Sequence, residues 1–174
     1  MKQAVNLNAI DRLCTVKFMR NVQNGSDIKE KLIKGEIDAT IVNASLIPDV
    51  LQLYVAANKS ALSESKGSKL TKTIHTEVLY NLSPTKKVRE SLKVFGIDDN
   101  VKDLLILVFD DESGAKMSSV LKLVHGDLTD MSELEEAVDW SKIAKMHGLK
   151  DEEISHEMLK DLVISKSSCK DLLF

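Results

Sequence analysis

The sequence predicts an α+β fold: a single domain over residues 1–174, with a small, mostly antiparallel sheet packed against several helices and a helical C-terminal part. Three observations predict it. Cys14, Val16 and Phe18 alternate with Thr15, Lys17 and Met19, the period of a half-buried strand. Leu104 to Phe109 is a continuous apolar run of strand length bounded by Asp103 and Asp110, as a central strand should be. The segments between and after them carry apolar residues at helical spacing. The 174 residues, 43% apolar and 29% charged, suit one domain of ordinary size. Such a chain hides roughly 70% of its unfolded surface and needs no disulfide or metal to fold. Its two cysteines, Cys14 and Cys169, are too few for a disulfide framework or an all-cysteine zinc site.

Taken in order, a short strand is expected near Ala4 to Leu7 and a longer one over residues 14–20. Ser26 is the expected cap of a first helix, with Asp27 and Glu30 at its positive end. Ile28, Leu32 and Ile33 are its buried stripe and Gly35 its stop. Ile37, Ala39 and Ile41 alternate with Asp38 and Thr40 as a strand. Pro48 then opens a helix from Val50 to Leu62 that is apolar almost all round and so belongs mid-domain, with Asn58-Lys59-Ser60 as its polar end. Residues 63–68 read as a surface loop.

Helices follow over residues 71–82 and 85–95, separated by Ser83-Pro84 and stopped at Gly96. After the central strand, Met117 to Val124 fits strand or helix equally. Glu133, Glu135 and Glu136 open one helical stretch through Trp140 and Ile143 to Gly148. Asp151, Glu152 and Glu153 start a last helix, with Ile154, Met158, Leu159, Leu162 and Val163 on its apolar face. The chain ends Leu172-Leu173-Phe174.

No apolar leader and no run near the ~20 residues of a membrane span is visible, so cytoplasm and nucleus are the expected compartments and no membrane partner is expected. Net charge is −3 but uneven. Residues 59–93 hold 8 basic and 3 acidic groups, net +5, whereas residues 94–174 hold 9 basic and 18 acidic, net −9. The basic island of Lys59, Lys69, Lys72, Lys86, Lys87, Arg89 and Lys93 suits a polyanion, because neutralising phosphates supplies most nucleic-acid affinity. A solvated helical surface is its bland alternative. Tyr80 lies between the clusters and is placed to stack a base, but it follows Val78-Leu79 directly, as a core residue would. The apolar face of the last helix suits either the core or a partner groove.

Catalytic patterns are fragmentary. Lys66-Gly67-Ser68-Lys69 lacks the first glycine and spacer of a phosphate loop. His156-Glu157 has Lys160 where a zinc helix needs its second histidine. Asp110, Asp111 and Glu112 read as an acidic turn; a small hydrolase using Asp110, Asp111 and His75 is the weak alternative. No cofactor or metal is expected.

Three blocks carry a resemblance: Val55-Ala-Ala-Asn-Lys-Ser-Ala-Leu62, Lys72-Thr-Ile-His-Thr-Glu-Val-Leu-Tyr-Asn-Leu-Ser-Pro84 and Val88-Arg-Glu-Ser-Leu-Lys-Val-Phe-Gly-Ile97. With Gly35-Glu-Ile-Asp-Ala and the strand from Leu104 in the same order, the chain resembles the TPRKB (PRPK-binding protein) family over residues 35–110. Pro84 departs from it, standing where many relatives have glycine. The resemblance implies a non-catalytic subunit of the KEOPS (EKC) complex. Such a subunit binds the atypical kinase subunit, meets the other subunits indirectly, and helps recruit tRNA by its acceptor end for threonylcarbamoyladenosine modification. On that reading the tRNA contact is the basic island with Asn58 added, and the kinase contact is Ile154, Met158, Leu159 and Leu162. A homodimer of the free chain, through the kinase-binding face, is a further expectation. The alternative is a stand-alone RNA-binding adaptor without a kinase partner.

Overall fold

The apolar run of residues 104–109 is the central strand of the sheet, with all six residues buried. Buried on both faces, it has no reason to alternate polar and apolar side chains. A computed structural model describes residues 3–7, 12–150 and 154–170. Its strands are β1 (Gln3–Leu7), β2 (Arg12–Arg20), β3 (Thr40–Asn43), β4 (Leu104–Phe109) and β5 (Asp127–Thr129). All pairings are antiparallel, in the order β1-β2-β4-β3, and β5 also pairs with β2. One edge of β2 lies along β4, from Cys14 opposite Phe109 to Met19 opposite Leu104. Its other edge is shared: β1 takes residues 12–16 and β5 takes residues 18–20.

The helices are α1 (Gly25–Lys34), α2 (Val50–Ser65), α3 (Ile74–Leu82), α4 (Val88–Phe95), α5 (Ala115–Leu123), α6 (Trp140–Met146) and α7 (His156–Cys169). They cover both faces of the sheet. Cys14, Val16 and Phe18 with Leu105, Leu107 and Phe109 face a large core built with α2, α3, α6 and α7. Met19, Ile41, Leu104, Ile106 and Val108 face a smaller core under α1 and α5. Leu53 on α2 is fully buried, and burying such a side chain contributes roughly 1.5–3 kcal/mol.

Several boundaries differ from the sequence expectation, each for a local reason. Asn24, not Ser26, holds the N-cap position of α1; its side chain bonds the Leu123 carbonyl and the His125 amide instead of capping. Gly35 does stop α1, at φ 74°, a left-handed conformation that costs glycine nothing. β3 starts only at Thr40, so Ile37 and Ala39 are buried loop residues. Asp49 caps α2 through the Leu51 amide, leaving Pro48 outside the helix. α2 runs through Asn58-Lys59-Ser60 to Ser65, consuming half of the expected loop.

Thr73 and Thr76 form a reciprocal cap, so α3 begins at Ile74 rather than near Thr71. α4 starts at Val88, after the Ser83-Pro84 break. Residues 117–123 resolve as helix, with Met117 and Val120 turned inward and Val124 extended just past its end. The stretch opened by Glu133 is two pieces: a 3-10 helix over Met131–Ala137 and then α6, capped afresh by Asp139. Ser155 caps α7. The expected starters Asp151, Glu152 and Glu153, and the Leu172-Leu173-Phe174 end, lie outside the described residues.

Candidate functional site

The basic island spans α2, α3 and α4, which pack in sequence one on the next. The structure divides its members. Lys59 donates to the Ser167 carbonyl on α7 at 3.0 Å. Beside it the Asn58 amide oxygen is buried without a hydrogen-bond partner among the described residues. Lys69 is 2.6 Å from Glu64, which also takes Arg12 at 2.7 Å. The Lys69 ammonium, and then the Arg12 guanidinium, hold the Glu64 carboxyl below its usual range. Lys72, Lys86, Arg89 and Lys93 are exposed, and among the described residues no carboxylate neutralises them. Lys87 is exposed with Glu90 3.8 Å away, too loose and wet a pair to contribute much. Lys86, Lys87 and Arg89 stand together at the start of α4. Tyr80 is 4% exposed and in the core, and the Lys170 ammonium lies 3.4 Å over its ring.

Between α1, α3 and α4 is an open cleft of about 710 Å³. Leu32, Ile33, Ile41, Leu79, Leu92 and Ile97 give it aliphatic walls. Lys29, Lys34, Lys72 and Lys93 stand around it, with Asp98 as its one acidic lining residue. Sequence periodicity missed it because Ile33 reads as part of the buried stripe of α1. The structure leaves Ile33 77% exposed. The signal was there in the adjacent pair Leu32-Ile33, since neighbours on a helix are about 100° apart and cannot both face one narrow core.

The expected partner residues of α7 also separate. Leu159 is 2% exposed and Val163 1%, both in the large core. Ile154 and Leu162 are half-buried against that core. Met158 is 62% exposed. Most of the apolar face of α7 is thus spent on α2, whose own apolar girth needs a cover. Nearby, Trp140 stacks on His156 with ring centres 3.9 Å apart, and Lys160 sits 5.8 Å over the same indole. Together with Met158 they give this end of α7 an exposed, mixed surface.

Asp110, Asp111 and His75 serve three separate structural tasks. Asp110 takes the Arg12 guanidinium at 2.9 Å. Asp111 accepts the Lys116 and Met117 amides at the start of α5. His75 bridges Thr40 at 2.9 Å and Asp38 at 2.8 Å. Burial lowers the His75 pKa, against the pull of Asp38. The Thr40-His75-Asp38 series has the order of a nucleophile, base and orienting acid and lines a shallow cleft, but Thr40 is only 1% exposed. Among the described residues no group of three or more His, Cys, Asp or Glu side chains is gathered to hold a metal ion. Nor, among the described residues, is any helix long and apolar enough to cross a membrane.

The sequence profile of the family described as "Kinase binding protein CGI-121" matches residues 19–171. A Danio rerio protein named "EKC/KEOPS complex subunit TPRKB" is 28% identical over 159 residues, covering 91% of each chain. A Kluyveromyces lactis protein named "EKC/KEOPS complex subunit CGI121" is 28% identical over 118 residues, or 68% of this chain and 74% of its own. A Debaryomyces hansenii protein of the same name is 33% identical over 82 residues, 46% of this chain and 42% of its own.

Proposed function

This chain belongs to the family of the kinase binding protein CGI-121, and from that premise we propose that it is a non-catalytic subunit of a KEOPS-type complex. In this reading it docks the atypical kinase subunit, meets the other subunits through it, and helps hold tRNA for threonylcarbamoyladenosine modification in cytoplasm and nucleus. The observation that carries the reading is the match along almost the whole chain to a relative named as such a subunit, 91% of both lengths.

The surface adds physical support. Lys86, Lys87 and Arg89 at the start of α4, with Lys72 and Lys93 beyond them, are exposed cations available to phosphates. For the kinase, Met158 and its half-buried neighbours Ile154 and Leu162 offer an apolar contact rimmed by polar groups. Polar active-site chemistry is not needed for either role.

The test is reconstitution with the purified kinase subunit and tRNA. The wild-type chain co-elutes with the kinase, and Met158→Asp, which alters an exposed side chain, abolishes co-elution while the chain stays folded. Lys86→Glu with Arg89→Glu weakens tRNA binding without touching kinase binding. A chain that ignores the kinase yet binds RNA tightly would be a stand-alone adaptor, and the proposal would fall.

A further inference from the structure

We propose that the cleft between α1, α3 and α4 is a docking groove for an acidic amphipathic helix of a partner protein. The groove is separate from the Met158 surface and from Lys86, Lys87 and Arg89, but it shares Lys72 and Lys93 with the cations offered above to tRNA, so the two occupants compete for them. It starts from Ile33, a large aliphatic side chain left 77% exposed at the last turn of α1. Ile33 does not stand alone, since it continues into the walls formed by Leu32, Leu79, Leu92 and Ile97. Contiguous apolar surface with a charged rim marks an interaction site more often than a lone exposed residue does.

The rim sets the sign of the occupant. Lys29, Lys72 and Lys93 have no hydrogen bond or ion pair with another described residue, while Lys34 is 2.6 Å from Glu30. Three unneutralised ammonium groups around an apolar trough favour a ligand with acidic and aliphatic side chains together. A helix supplies that combination, with apolar residues at i, i+3, i+4 and i+7 in the trough and Asp or Glu beside them.

One feature favours a peptide helix over single-stranded RNA here. Among the described residues no aromatic side chain lines the cleft, and bases are held chiefly by stacking on aromatic rings.

The experiment uses the full chain and three fluorescein-labelled probes. One is an 18-residue helical peptide of leucine at i, i+3, i+4 and i+7 positions with glutamate elsewhere. The second replaces its glutamates with lysine. The third is a 12-nucleotide single-stranded RNA. By anisotropy, the acidic peptide binds at least about tenfold tighter than the basic one, a clear margin on the affinity scale. Ile33→Asp and the pair Lys29→Glu/Lys93→Glu each weaken the acidic peptide by about tenfold or more, while Met158→Asp does not. Ile33 and both lysines are exposed, so circular dichroism and Tm stay at wild-type values. Equal binding of both peptides, no binding of the acidic one, or undiminished binding by Ile33→Asp overturns the proposal. If Ile33→Asp loses the RNA and keeps the peptide, the cleft is an RNA site and the proposal is equally overturned.

Discussion

Lys59 on α2 is tied to the Ser167 carbonyl on α7 at 3.0 Å. A cation that the sequence offers to RNA is thereby a brace between helices 108 positions apart. Gln52, two turns earlier on α2, reaches the Ser167 hydroxyl at 3.3 Å. The two contacts fix α7 along the buried face of α2.

Lys59→Met keeps the aliphatic stem and removes the charge-assisted bond. Stability should fall by about 1.5–3 kcal/mol, the range for a hydrogen bond that involves a charged group. Urea denaturation reads it as a lower midpoint at unchanged m-value. A loss of tRNA affinity with no loss of stability would return Lys59 to the RNA-facing set.

The exposed cations of α4 should behave differently. Lys86→Ala with Arg89→Ala leaves the urea midpoint within about 0.5 kcal/mol of wild type, as surface changes do. In the tRNA titration the log–log salt slope drops by roughly two if both side chains neutralise phosphates. An unaltered slope would remove them from the interface.

Acid should weaken the fold through His147. Burial, helped by Lys166, lowers its pKa from 6.5 to about 4, and its Nδ1 is buried without a partner among the described residues. The neutral ring is therefore the folded form, while the unfolded chain binds a proton near pH 6.5. This contribution is whole above that pH, is lost as pH falls toward 4, and is flat below. Its size is on the order of 1–3 kcal/mol after allowance for residual solvent. Between pH 7 and 4.5, His147→Gln should lose less stability than wild type in paired urea titrations. His75, also lowered by burial, acts in the same direction.

Glu77 should control the segment that leads into the cleft. It is 2% exposed and accepts the Leu70 amide at 3.2 Å, the Thr71 amide at 2.8 Å and the Thr71 hydroxyl at 2.7 Å. Glu77→Ala strands those donors and should cost about 2–3 kcal/mol. Hydrogen exchange at residues 70–72 should rise ahead of global unfolding. Unchanged protection there would show that other contacts hold the segment.

The central elements were legible because their patterns have one physical cause. A six-residue apolar run between aspartates has no stable home but a covered strand, and a helix apolar all round must lie at the centre, as β4 and α2 do. Helix starts were less legible. Ser26 and Pro48 look like starting residues, but a cap is decided by which side chain the turn aims at the free amides, and Asn24 is spent on another strand of chain. The surfaces were least legible. A lysine's formal charge does not say whether it faces solvent, as Lys86 does, or ties two helices, as Lys59 does. Likewise Met158 and Leu159 are neighbours in one apolar pattern, yet one is exposed and the other sealed. Both distinctions depend on what α2 and α7 do to each other, which no local window contains.

The way α7 lies on α2 also has a bearing on synthesis. A ribosome has emitted the whole sheet before the helix that seals Gln52, Leu53 and Lys59 exists. Messages cut short ahead of His156 would yield a nascent product with a bare greasy flank. Such fragments are natural clients for chaperones and proteases, so nonsense alleles ahead of His156 should behave as nulls through clearance of the polypeptide.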